Sequence, residues 1–321
     1  MSKKSNNQGR AYEFSYLISL YEEISKVRSV KIETNSSYYA AERAWNTLSE
    51  SEKTMYKMSS LTGVNTLFEL EPLILDDGKD ELELKIQSDD NGEKGDVRDV
   101  LIIRRGIEWE IGLSVKHNHF AVKHSRLSKK IDFGKKWYGI SCSDQYWLDI
   151  KPIFDYLDEE KKKGTKWRDL LSKEDDVYVP LLNAFKEELE RQNLLFNKEI
   201  PRLMVEYLLG EFDFYKVIGI DNKEITRIQS FNLRGTLNKQ GKNRKRNIEL
   251  PISSLPTRIV SLDYKPGSKN TLELYLDGGW QFSFRIHNAS TKVEPSLKFD
   301  IQIIGMPVTI ISIDCKWERV I

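Results

Sequence analysis

Hydrophobic positions change their period along the chain, and the changes divide it. Residues 12–27 carry Phe14, Leu17, Ile18, Tyr21 and Ile24 at helical spacing, with Glu13 in the first turn. Helical spacing recurs over 35–48, 51–60 and 65–75, where Ser49 and Ser51 are candidate caps and Glu52 follows in the first turn. The period then drops to two. Leu82, Leu84 and Ile86 predict a strand over 81–87, followed by a turn-rich stretch over 88–95. Residues 100–103 are an apolar run of strand length, Arg105 and Gly106 supply a turn, and Ile107, Trp109, Ile111, Leu113 and Val115 alternate over 107–116. More helices are expected over 147–157, 167–171, 179–192 and 201–209, with a charged loop at Lys161, Lys162, Lys163 and Gly164. From about residue 221 the pattern reads as strands, over 225–237, 248–252, 258–264, 272–276, 280–286, 297–304 and 308–316. No repeat of fixed period is present. The expected class is α/β of the α+β kind: a mixed sheet flanked by helices over 1–220, then a β-rich region over 221–321.

The two strands over 100–116 put charged groups at one end of a hairpin. Alternate side chains on a strand share a face, so Glu108, Glu110, Gly112, Ser114 and Lys116 lie opposite the apolar stripe. A turn centred near Gly106 and Ile107 lays Asp99 across from Ser114 and close to Lys116. A carboxylate suited to a hard cation such as Mg²⁺ then meets an ammonium able to orient a water or steady charge on a phosphate. The spacing Asp99, fourteen residues, Ser114, one residue, Lys116 resembles the PD-(D/E)xK nuclease motif, with Arg98 for its proline and Ser114 for its second acid. Candidates for the missing acid are Glu110 on the same strand face, Asp96 before the first strand, Asp132 downstream and Glu13 near the N-terminus. Glu110 faces the right way but lies on the order of 14 Å along the strand from Ser114. The plain alternative is a sheet hairpin whose end charges are merely solvated.

The segment after the hairpin favours phosphate chemistry. His117, His119 and His124 are three of the chain's 4 histidines, and Lys116, Lys123, Arg126, Lys129, Lys130, Lys135 and Lys136 share the neighbourhood with Asp132 as the single acid between Lys116 and Lys136. Phe120, Val122, Leu127 and Ile131 have roughly helical spacing, which predicts a helix with Lys123, Arg126 and Lys130 outward. Such a local basic patch suits phosphate-backbone contact. The tripeptide His117-Asn118-His119 is not the HNH nuclease motif, whose histidines and asparagine lie many residues apart. Zinc is poorly served, because Cys142 and Cys315 stand alone. In the β-rich region, 239–246 reads as a mobile basic loop, and Arg234, Arg285, His287, Asn288 and Lys292 carry groups suited to DNA contact. Surface loops often hold the same residue types.

Composition narrows the class. A chain of 321 residues with 39% hydrophobic and 31% charged residues is an ordinary globular protein with ample core. A net charge of +1 argues against a general nucleic-acid coat and leaves room for one basic cleft. No apolar run approaches the roughly 20 residues that span a bilayer, and the polar start has no signal-peptide core. With no disulfide framework, the expected compartment is the cytoplasm and no membrane partner is expected.

Several segments together are similar to the HaeIII-type restriction endonucleases: Asn7-Gln8-Gly9-Arg10-Ala11-Tyr12-Glu13, Gly95-Asp96-Val97-Arg98-Asp99, Gly112-Leu113-Ser114-Val115-Lys116-His117-Asn118-His119, Val122-Lys123-His124-Ser125-Arg126 and Phe284-Arg285-Ile286-His287-Asn288-Ala289-Ser290. The resemblance implies Mg²⁺-dependent cleavage of double-stranded DNA at GGCC with blunt ends, and a companion DNA methyltransferase that protects the host. It also draws attention to Glu13, since nucleases of this class often place a glutamate on an N-terminal helix beside the metal. The expected machinery is Asp99, Ser114 and Lys116 as catalytic residues, with Asp99, Glu13, Asp96 and Glu110 around the cation. His119, Lys123, His124, Arg126, Arg234, Arg285, His287, Asn288 and Lys292 are expected to contact DNA. A homodimer would match the palindrome. The alternatives are a non-catalytic DNA-binding protein on a nuclease scaffold and a nuclease of different specificity.

Overall fold

The computed structural model describes residues 3–76, 80–88, 95–196 and 199–318, with side chains from residue 7 onward. Most of the turn-rich stretch expected over 88–95 lies outside the described residues. The chain forms two compact units, each discontinuous in sequence: Met1–Phe120, Gly210–Ser253 and Val308–Ile321 make the first, Ala121–Leu209 and Ser254–Pro307 the second. A single boundary near residue 220 does not coincide with this division, because the chain crosses between units more than once.

The first unit opens with α1 (Lys3–Ile24), β1 (Val30–Glu33), α2 (Ser36–Asn46), α3 (Glu50–Leu70) and α4 (Pro72–Leu75), followed by β2 (Leu82–Ile86), β3 (Val100–Arg104) and β4 (Trp109–His117). The second unit then contributes β5 (Ala121–Leu127), α5 (Phe133–Tyr138), α6 (Asp144–Lys163), α7 (Val179–Leu195) and α8 (Glu199–Leu209). The chain returns for β6 (Phe214–Ile220) and β7 (Ile225–Phe231), leaves for β8 (Ile259–Tyr264), β9 (Thr271–Leu276), β10 (Gln281–His287) and β11 (Leu297–Gly305), and ends the first unit with β12 (Ser312–Lys316).

In the first unit seven strands form one mixed sheet in the order β1-β2-β3-β4-β6-β7-β12. β4 and β6 are parallel neighbours, which demands a long crossover. Here that crossover is the whole of Ala121–Leu209. Tyr12, Tyr16, Leu17, Leu20 and Ile24 of α1, with Tyr56, Val64 and Leu67 of α3, join Ile111, Leu113 and Val115 of β4 in the core. One helix over Glu50–Leu70 replaces the two expected over 51–60 and 65–75. Its start carries a capping box between Ser49 and Glu52. Gly63 does not break it: a Cβ there would collide with the Tyr16 hydroxyl, so the glycine serves close packing of α1 on α3.

Strands expected over 225–237 and 248–252 stop at Phe231 and are absent, respectively. Carboxylates take the backbone N–H groups that a ladder would have used. Asp213 accepts from Leu233, Arg234 and Thr236 at 2.6 to 2.8 Å, and Asp76 accepts from Lys242, Asn243 and Arg244 at 2.8 to 3.0 Å. The basic stretch over 239–246 is therefore tied down rather than loose.

Glu71, fully buried after α3, accepts from the Tyr215 hydroxyl at 2.6 Å and from the Asn238 N–H, and burial pushes it up to about 7 from 4.5. A raised carboxyl favours the fold while protonated, so its contribution is complete below about pH 4.5 and fades as pH rises through about 7. Denaturant titrations should show wild type losing up to about 3 kcal/mol relative to Glu71→Gln across that window. A pH-independent difference between the two would contradict the assignment.

The second unit holds a five-stranded antiparallel sheet in the order β5-β11-β10-β9-β8. One face packs Phe284 and Phe299 against Trp137 of α5 and Phe185 of α7, with the Phe185 and Phe299 rings 5.1 Å apart. The helix expected around residues 120–131 is instead strand β5, with Ala121, Ser125 and Leu127 buried and in register with β11. Too few apolar residues fixed the local period, and pairing with a distant strand decided it. Asp132 caps α5 by accepting from Lys135 at 2.9 Å and also binds the Cys142 N–H, so it is occupied within the second unit.

Candidate active site

The register of β3 with β4 pairs Val100 with Leu113, and the Asp99 N–H donates to the Leu113 carbonyl at 2.7 Å. Asp99 therefore lies across from Ser114, as alternation predicts. Its Oδ2 accepts from the Val115 N–H at 2.7 Å, from Lys116 Nζ at 2.8 Å and from Ser114 Oγ at 3.5 Å. The last is a weak contact. Oδ1 has no hydrogen-bond partner among the described residues, and the side chains of Asp99 and Lys116 are 23% and 26% exposed. The pair is thus open to a cation and to substrate. Burial works against the Lys116 charge, but Asp99 and then Glu13 outweigh it and hold the amine above its usual range. Glu13 of α1 is thus close enough to act on the Lys116 charge.

Two other expected acids are engaged elsewhere. The Arg98 guanidinium donates to Asp96 through Nε at 2.9 Å and Nη2 at 2.7 Å, and to Glu110 through Nη1 at 2.7 Å. It also lies 3.9 Å from the centroid of the Phe212 ring. Gly112 makes room for it, because a Cβ there would run into the Arg98 side chain. Arg98, at the motif's proline position, thus gathers Asp96 and Glu110 into its own cluster beside a pocket of about 460 Å³ that Gln87 and Phe212 also line. Asp99 and Glu13, which both act on the Lys116 charge, remain candidate donors for a hard cation.

Sequence reasoning missed β6 and with it Lys216, which pairs in register with Ser114 and is only 3% exposed. It also left His117 without a role. His117 Nε2 meets the Asp221 carboxylate at 2.9 Å, Nδ1 meets the Tyr56 hydroxyl at 3.1 Å, and Asn118 Nδ2 donates to Asp221 at 2.8 Å. This network fastens the end of β4 to the turn after β6. His119, next along, is half-buried in the first unit, and Arg234 is exposed with its N–H on Asp213.

Most of the remaining DNA-contact candidates come together in the second unit, although they are far apart in sequence. In-register neighbours share a face, so His124, Asp300 and Arg285 form one row and Arg126, Lys298 and His287 the next. Arg285 Nη2 donates to Asp300 at 3.1 Å, and His124 Nδ1 lies 3.7 Å from the same carboxylate. Burial pushes Lys298 and His287 down, reinforced by Arg126 for the lysine and by Arg285 and Lys298 for the histidine. His287 Nδ1 and Asn288 Oδ1 are buried without hydrogen-bond partners. The Asn288 amide NH₂ holds its own loop by donating to the Lys292 carbonyl at 2.8 Å, and Lys292 itself is exposed. Lys123 departs from expectation: it donates to the Tyr207 carbonyl at 2.7 Å and lies over that ring, and burial pushes it down to about 8.

Comparison with known proteins decides the family. The family model for HaeIII restriction endonuclease matches residues 9–307. The chain belongs to the HaeIII restriction endonuclease family. Type II restriction enzyme HaeIII of Haemophilus aegyptius is 57% identical over 319 residues, covering 99% of this chain and 100% of that enzyme. No solved structure matches the chain. As a HaeIII-family enzyme the chain has the mixed α/β core expected of a PD-(D/E)xK-like nuclease, and no described helix is long and apolar enough to cross a membrane. The Asp99–Lys116 pair remains the candidate centre within that family frame.

Proposed function

We propose that this protein cuts double-stranded DNA at GGCC, leaving blunt ends, and uses Mg²⁺. The observation that carries the reading is the Asp99–Lys116 pair, 2.8 Å apart at the open end of the β3–β4 hairpin and under the influence of Glu13, in a chain 57% identical to a type II restriction enzyme. Restriction endonucleases of this type generally use a divalent cation. Asp99 and Glu13 would hold it, and it would supply Lewis-acid stabilisation of charge on the scissile phosphate. Asp96 and Glu110 shape the neighbouring pocket through Arg98. Lys116 orients the attacking water and donates to a phosphate oxygen, and the Ser114 hydroxyl holds a water where the common motif has an acid.

DNA contact is assigned to His119 and Arg234 of the first unit and to His124, Arg126, Arg285, His287, Asn288 and Lys292 of the second. The exposed Arg285 guanidinium, flanked by His287 and Asn288, suits base edges, whereas Arg126 and Lys292 suit phosphates. Lys123 supports this surface from beneath through Tyr207. The β-rich segment over 221–321 serves recognition through its β10 and β11 portion. The reading includes two copies of the chain acting on the two strands of the palindrome, a cognate DNA methyltransferase that shields host sites, and action in the cytoplasm.

A plasmid digest tests it. With Mg²⁺ the expected product is a discrete ladder whose sequenced ends read GG and CC, and with EDTA the plasmid stays intact. Diffuse products would point to a nuclease without sequence preference, and an uncut plasmid in every divalent cation to a DNA-binding protein alone.

A further inference from the structure

Among the described residues Lys216 is the lysine most withdrawn from solvent, at 3% exposure, and no carboxylate forms an ion pair with it. A buried amine without an acid is costly, and proteins keep such groups where function demands them. Its place is specific. β6 runs parallel to β4 with Lys216 level with Ser114, roughly 5 Å away across the ladder. Its Nζ donates to the carbonyl of Phe120 at 2.8 Å, beyond the end of β4. The side chain therefore starts level with Ser114, on the face that Ser114 and Lys116 share, and reaches the chain that follows β4. Burial and then the Lys116 ammonium push Lys216 down to about 7, with Asp99 acting in the opposite direction, so these three groups sense one another.

We infer that Lys216 is a positioning residue of the catalytic centre, walling one side of Lys116, keeping that ammonium toward Asp99, and tying the chain after β4 to β6. The inference rests on Asp99 and Lys116 being the cleavage centre. It also gives the serine at 114 a reason. A carboxylate there would sit beside Lys216 and capture its amine, whereas a hydroxyl leaves the amine to the Phe120 carbonyl.

The test uses the full-length enzyme and a GGCC-containing duplex. Replacing a buried unpaired amine by an apolar side chain of similar length is neutral or stabilising when the role is only structural. Lys216→Met should keep its unfolding midpoint and bind the duplex, with Ca²⁺ in place of Mg²⁺, within about threefold of wild type, while single-turnover cleavage falls at least about 30-fold, as expected for misplaced catalytic groups. In Lys216→Ala, propylamine but not propanol should raise the rate. K216M cleaving within about threefold of wild type, or losing cleavage only in proportion to lost binding, overturns the inference. If K216M fails to fold, absence of amine rescue in K216A does the same. Wild type that cuts nothing in any divalent cation would instead sink the cleavage reading itself.

Discussion

Lys116→Ala is expected to produce an enzyme that still holds its DNA and no longer cuts it. Removal of a single preorganised donor from a developing phosphate charge costs about 10²- to 10³-fold, and Lys116 also orients the nucleophile, so single-turnover cleavage should fall by at least about 10³-fold. The fold should tolerate the change. Lys116 is a quarter exposed, and Asp99 keeps the Val115 N–H when the amine is removed, which holds the stability cost to roughly 1–3 kcal/mol. Duplex affinity measured with Ca²⁺ should stay within about tenfold, because the residues proposed to contact DNA are untouched. Cleavage by the variant at the wild-type rate would remove Lys116 from the mechanism.

The second large effect concerns the acid missing from position 114. Glu13→Gln keeps the size of the side chain while removing its charge, so it should weaken the proposed cation site without opening a cavity in α1. Cleavage should fall by about 100-fold at a fixed Mg²⁺ concentration, and part of the loss should return as Mg²⁺ is raised. Glu110→Gln is the control. Its carboxylate lies 2.7 Å from Arg98 Nη1, in a cluster that retains Asp96, and cleavage should stay within about fivefold of wild type. The reverse ranking of the two variants would move the cation from Glu13 to the Arg98 cluster.

The sequence carried the hairpin well. Strict alternation over 109–115 and a short turn left one register, and that register brings Asp99, Ser114 and Lys116 together. The expected α+β class holds as well, while much else was hidden for definite reasons. β6 is buried on both faces and presents no alternation, so Lys216 sat unnoticed inside an apolar run. β5 had the apolar spacing of a weak helix and owes its form to β11, some 170 positions later. The meeting of His124 and Arg126 with Arg285 and His287 depends on that same long-range pairing. Arg98 looked like a flaw in a motif until its bonds to two carboxylates and the space left by Gly112 gave it a place. The two-unit division was unreadable because it depends on which strands pair, a property no local window contains.

The crossover between β4 and β6 has a consequence for how the enzyme is born. β4 carries Ser114 and Lys116, yet its parallel neighbour is made about a hundred residues later, and the sheet receives its last strand only at Ser312–Lys316. A ribosome delivers the chain from the N-terminus, so the hairpin emerges early onto an incomplete sheet and waits for nearly the entire remaining sequence. The sheet that carries Ser114 and Lys116 is therefore complete only once Ser312–Lys316 has paired with β7.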